Sequence, residues 1–188
     1  MREETKKRIV AGFFAFLMVA SVIGFAASFV GTSQSAKAKY NGYTFYPKQG
    51  FWEAKIDGEK RQFLFFPKDL ESITLDEGVR QTLQAPGFTV TYNPNSTMTS
   101  ALAEAQYYIE TQASNKIITR ALTNSTGTKL PEARCTDGTP NRPVIELRES
   151  NTSAIRKENN CIIIESQDDY DLAQSVERIT YHLLKIIP

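Results

Sequence analysis

The covalent chemistry open to this 188-residue chain is bounded by two cysteines and a single histidine. Cys135 and Cys161 stand 26 positions apart, across a stretch made mostly of turn-forming residues. Oxidised to each other, they would restrain that stretch by about 3 to 4 kcal/mol in the chain-entropy description. A disulfide is the favoured reading for an exported domain. The alternative is a pair of buried reduced thiols, which would suit Cys161 at the head of the apolar run Cys161-Ile-Ile-Ile-Glu165. The sharpest catalytic alternative is a cysteine thiolate activated by His182, but no local signature surrounds either partner. The cysteine spacing matches no zinc pattern, and with one histidine no complete Cys/His site can form without carboxylate help, so neither a metal nor a cofactor is expected.

Three other groups of side chains carry potential chemistry. Asp168, Asp169 and Asp171 could hold a divalent cation, although carboxylates at the start of a helix ordinarily complement its dipole. The loop Asn93-Pro-Asn-Ser-Thr97 follows an alternating stretch and precedes a helical one, with Asn93, Asn95, Ser96 and Thr97 as its polar groups. Exposed amides at such a junction can hold an anion or a ligand's polar group, while turn formation and capping explain the same residues without a ligand. Three N-x-Ser/Thr sequons, at Asn95, Asn124 and Asn151, are glycosylation candidates if the chain is exported. No glycine-rich phosphate loop and no nucleophile elbow is present.

The elements that must position these groups begin with a hydrophobic run. Ile9 to Val30 holds no charge, and as a helix it would cover roughly 33 Å, enough for a bilayer core. Met1 to Arg8 carries four cations against Glu3 and Glu4, which favours a cytoplasmic N-terminus. A cleaved signal peptide is the competing reading, with Ala36-Lys37-Ala38 as a cleavage-type pattern, but the run exceeds the usual h-region. Ala20, Gly24 and Ser28 recur along one stripe of the span, a spacing that lets two helices approach closely. Residues 31–39, small and polar, read as a flexible stalk.

Residues 40–188 are the size of one domain. The chain's formal charge is +1 and the leader's is +2, leaving about −1 for the rest, which excludes a basic field for nucleic acid. Asp57-Gly58 between Phe51–Ile56 and Arg61–Phe66 marks a hairpin. Alternation in Phe88-Thr-Val-Thr-Tyr92, helical periodicity over residues 101–114 and a strand over 116–122 predict a parallel β–α–β unit. A short helix is expected over 76–84, an irregular region from Thr123 to Pro143, strands over 144–147, 154–157 and 161–165, and a last helix carrying Leu172, Val176, Ile179 and Leu183 on one stripe. The expected fold class is mixed α and β (α+β or α/β): a transmembrane helix, then one domain with a mixed sheet of about five to seven strands and at least two packed helices.

Cys135-Thr-Asp-Gly138, Pro143-Val-Ile-Glu-Leu147, Asn160-Cys-Ile-Ile-Ile-Glu165, the segment Glu177-Arg-Ile-Thr-Tyr-His-Leu-Leu184 and the opening Tyr40-Asn-Gly-Tyr-Thr-Phe45 together resemble small archaeal single-pass membrane-anchored extracytoplasmic proteins of unknown function. The resemblance implies a paired cysteine and an archaeal envelope setting, and it carries no catalytic residue over. The expectation is a domain held to the lipid bilayer through Ile9 to Val30, with its N-terminus cytoplasmic, acting by binding as an accessory subunit beside a protein partner in the membrane or envelope. The runner-up is an envelope hydrolase or thiol-redox enzyme using a cysteine with His182.

Overall fold

The computed structural model describes residues 37–113, 116–125 and 127–188. The leader, the expected span Ile9 to Val30 and its stripe Ala20, Gly24 and Ser28 lie outside the described residues. Among the described residues no helix is long and apolar enough to cross a membrane.

The strands fall into two sheets, of four and five strands, where a single sheet of five to seven was expected. The first is an antiparallel meander of β1 (Ala38–Tyr40), β2 (Tyr43–Lys48), β3 (Phe51–Ile56) and β4 (Glu59–Phe63). Its expected hairpin turn is present: Asp57 and Gly58 have φ of 50° and 88°, the positive values that a two-residue turn between twisted strands requires. Ala38 and Lys39, read as the end of the stalk 31–39, pair with Phe45 and Thr44, and residues 31–36 lie outside the described residues. Pro47, which has no N–H to give a ladder, sits where β2 has β3 on one side and no β1 partner on the other.

The second sheet has the order β6-β5-β7-β9-β8. β5 (Gly87–Tyr92), β6 (Ile117–Arg120), β7 (Val144–Glu149) and β9 (Cys161–Ser166) run parallel, and β8 (Ala154–Glu158) closes the edge antiparallel to β9. The expected β–α–β unit is β5, α2 (Thr99–Gln112) and β6. α1 (Glu77–Thr82) is capped by Asp76, whose carboxylate accepts from the Val79 N–H at 2.6 Å. α3 (Asp169–Leu183) is capped the same way by Asp168, which accepts from Asp171 N at 2.9 Å.

The period-2 alternation of the strands sends Phe88, Val90, Ile145, Leu147, Ile162 and Ile164 to one face, where they pack with Leu102 and Ile109 of α2 and with Leu172, Val176, Ile179 and Leu183 of α3. A separate core joins the first sheet to the other flank of α3: Phe45, Ala54, Ile56 and Phe63 meet Tyr181, Leu184, Ile186 and Ile187. Phe63 stacks on Tyr181 with ring centroids 4.7 Å apart. α3 is thus buried on both flanks, and the polar residues on it must find partners inside the protein. Glu177 does so by accepting from Leu64 N at 3.0 Å and Phe65 N at 3.1 Å, at the point where β4 ends. Tyr181 donates to Phe65 O at 2.7 Å, and Arg178 donates to Ile73 O and Pro188 O, each at 2.9 Å.

Burial pushes the Glu177 carboxyl up from 4.5 to about 7, against the two N–H groups that favour its charged form. The folded state therefore holds a proton between about pH 4.5 and 7 that the unfolded chain has released, so this group's contribution to stability is greatest below about 4.5 and falls as pH rises toward 7. The expected loss over that window is about 3 kcal/mol. In Glu177→Gln the slope disappears, and at pH 5 the variant is less stable than the parent by about 1 to 2 kcal/mol, since its amide nitrogen faces one of the two N–H donors. Urea unfolding between pH 4.5 and 8 measures both.

The second face of the sheet carries Val144, Ile163 and Cys161, and Cys161 is bonded to Cys135 with the Cα atoms 5.1 Å apart. The disulfide ties the irregular region to the sheet. Gly138 permits the approach: a Cβ there would lie 2.4 Å from the carbonyl oxygen of Asn160. Replacing both cysteines by serine is expected to lower unfolding stability by about 3.5 kcal/mol, the chain-entropy value for a loop of this length, with the far-ultraviolet spectrum of the folded state unchanged.

Candidate functional site

Parallel strands end on the same side of a sheet, so the loops that follow β5, β6, β7 and β9 gather at one edge. There they enclose a broad cleft of about 1280 Å³. Asn93, Asn95, Ser96 and Thr97 come from the loop after β5, Thr123 and Asn124 from the chain beyond β6, Glu149, Ser150 and Asn151 from the end of β7, and Gln167 from the end of β9. Arg134, Cys135 and Thr136 form a further wall, with Glu146 and Arg148 of β7 between them and the sheet. The cleft lies against β5 and β7, from which the chain departs in opposite directions, toward β6 on one side and toward β9 and β8 on the other. That divergence leaves a crevice beyond the carboxyl ends of neighbouring strands, the usual place for a ligand in an open α/β sheet.

The loop residues singled out in the sequence all line this cleft, and its amides are already engaged. Glu149 Oε2 accepts from Thr97 N at 3.0 Å, Glu149 Oε1 accepts from Thr97 Oγ1 at 2.6 Å, and Ser96 Oγ also donates to Glu149. No side chain of the loop caps α2. The carboxylate comes instead from β7, 52 positions later than Thr97 in the chain, and sits just ahead of the first helical residue, Thr99, where its charge suits the helix dipole. Asn93 shapes the turn by accepting from Asn95 N at 3.0 Å.

Arg134, Glu146 and Arg148 are ion-paired, whereas Glu149 is held by uncharged donors alone. Arg148 Nε donates to Glu146 Oε1 at 2.6 Å, and Glu146 Oε2 accepts from Cys135 N at 3.3 Å. Arg134 donates to Glu132 at 3.1 Å and to Thr123 O at 3.1 Å. Ligand atoms of Cys135, Glu146 and Cys161 lie within 4.8 Å of one another, but the sulfurs are bonded to each other and Glu146 serves Arg148 and the Cys135 amide. What the cleft offers is an array of uncharged donors and acceptors: five amide side chains together with the hydroxyls of Ser96, Thr97, Thr123, Thr136 and Ser150.

His182 lies elsewhere. It is half-buried at the end of α3 and lines a separate cavity with Asn41, Lys116 and Lys185, and burial, assisted by Arg178, lowers its pKa. The structure does not bring it to either cysteine. Of the aspartates, Asp168 caps α3 and Asp171 accepts from Ser153 Oγ, so two of the three serve local structure. Arg134, Glu146, Arg148, Glu149 and Gln167 join the site without having been singled out in the sequence. The one available signal was position: Arg148, Glu149 and Gln167 stand just past the ends of predicted strands.

Compared with known proteins, the chain matches no protein family, no curated protein and no solved structure.

The hydrogen bonds from Ser96 and Thr97 hold the Glu149 carboxyl below its ordinary 4.5. Its hold on the loop is therefore complete above about pH 4.5 and is lost as acid protonates it below that value. The Thr97 amide resonance is expected to titrate with a midpoint under 4.5, and Glu149→Gln should abolish that titration and speed hydrogen exchange at Thr97.

Proposed function

We propose that the chain is a membrane-anchored extracytoplasmic binding domain, and that the cleft at the carboxyl ends of β5 and β7 takes a small, uncharged polar ligand. The observation that carries this reading is the convergence of uncharged amide and hydroxyl side chains, from the ends of all four parallel strands, on one crevice. The engagement of Glu149 at the start of α2 argues against a phosphate ligand there, since an anion would meet a carboxylate rather than free amides. The ion pairs of Arg148 with Glu146 and of Arg134 with Glu132 leave no unpaired cation among the described lining residues to draw an anionic ligand, while Glu149 keeps its negative charge. Ile9 to Val30 serves as the tether in the lipid bilayer, the N-terminus being cytoplasmic, and the domain acts as an accessory subunit that presents its ligand to a protein partner in the membrane or envelope.

The ligand reading is tested by thermal unfolding of the full chain in the presence of neutral oligosaccharides, nucleotides or inorganic phosphate. Neutral sugars should raise the unfolding temperature in a concentration-dependent way and phosphate should not. Gln167→Ala, which removes one uncharged hydrogen-bonding group from the rim, should weaken sugar binding about fivefold, the weight of about 1 kcal/mol. Stabilisation by phosphate and nucleotides with none by sugars would overturn the ligand class. External protease added to intact cells should digest the domain, and a protected domain would overturn its export.

A further inference from the structure

Asn95, Asn124 and Asn151 head three sequons that lie 29 and 27 residues apart, roughly the length of one strand with its crossover connection. In a parallel arrangement that interval returns the chain to the same edge of the sheet. All three asparagines are exposed, all three stand in loops beyond the carboxyl ends of β5, β6 and β7, and all three line the one cleft. Sequons scattered over a surface would be unremarkable, whereas three on one rim give that rim a common chemistry.

We propose that Asn95, Asn124 and Asn151 carry N-linked glycans that ring the mouth of the cleft. This rests on the export of the domain and not on the identity of the cleft's ligand. At each site the asparagine Nδ2 forms a bond to C1 of an oligosaccharide. The bond from C1 to the phosphate of a polyprenyl-phosphate-linked donor breaks, the lipid phosphate leaves with the electron pair, and an amide proton passes to a base of the membrane-bound transferase. The fold also sets the order of events. In two sequons the required hydroxyl is taken once the domain has folded: Thr97 Oγ1 is held by Glu149 at 2.6 Å, and Ser153 Oγ donates to Asp171. Transfer therefore belongs to the translocating chain, before β7 and the start of α3 close on those hydroxyls. Once in place, the three glycans stand together on the rim of the cleft.

The three asparagines fall in three different tryptic peptides, so mass spectrometry of the full chain, isolated from the membranes of the cells that produce it, reads each site separately. An oligosaccharide mass is expected on all three. Asn95→Gln, Asn124→Gln and Asn151→Gln should each remove one increment. Thr97→Ala and Ser153→Ala should remove the increments at Asn95 and Asn151 while leaving those asparagines in place. Fewer than three modified positions, on a domain that external protease reaches in intact cells, would overturn the proposal and leave export standing. Unmodified peptides on a domain that protease does not reach would overturn both.

Discussion

The buried carboxylate of Glu177 is the interaction on which the arrangement of the two sheets depends. α3 must present an apolar stripe to the five-stranded sheet and another apolar surface to the meander, so the residues between those surfaces are removed from water whatever their polarity. A carboxylate in that position is costly unless it is hydrogen-bonded. Its two oxygens meet the Leu64 and Phe65 amides, which the end of β4 leaves without ladder partners. Two unsatisfied donors and one unsatisfied acceptor group thereby satisfy one another. With Tyr181 on the Phe65 carbonyl and Arg178 on Ile73 and Pro188, the bonds join α3 to the end of the meander, to the segment after it and to the C-terminus.

The same economy operates at the cleft. The start of α2 would ordinarily seek a capping side chain from its own loop or an anion from solution. Here β7 provides Glu149, which fastens the loop after β5 to the neighbouring strand and gives one wall of the cleft a fixed shape. On the sheet face away from the helices, the disulfide does for the irregular region what packing cannot, because a segment with few large apolar side chains buries too little surface to hold itself down. Helix packing, a cross-strand cap and a covalent tie together leave the strand ends as the polar recess of the parallel sheet.

Much of the secondary structure was legible in the sequence because its signals are local. Asp57-Gly58, the alternation from Phe88 to Tyr92 and the stripe of Leu172, Val176, Ile179 and Leu183 each identify their element within a few residues. Other features were not legible. Ala38 and Lys39 look like linker until Phe45 and Thr44 are found opposite them. The hairpin of Phe51–Ile56 and Arg61–Phe66 reads as part of one mixed sheet, since a strand's pattern shows that one face is buried but not against what. Nothing in the stripe of the last helix marks Glu177 for burial, because the amides it accepts from, of Leu64 and Phe65, stand more than 100 positions away.

Composition and short-range spacing were enough to show the kinds of element, the position of the hydrophobic run before the folded domain, the near-neutral charge of that domain and the favoured pairing of Cys135 with Cys161. It took the packed chain to show that the strands form two sheets, that Glu177 is buried between two apolar surfaces, that Glu149 takes the amide of Thr97 and that Asn95, Asn124 and Asn151 share a rim. Those four outcomes depend on which distant segments become neighbours. In a parallel sheet that is settled by strand order, which the residues within any one strand do not encode.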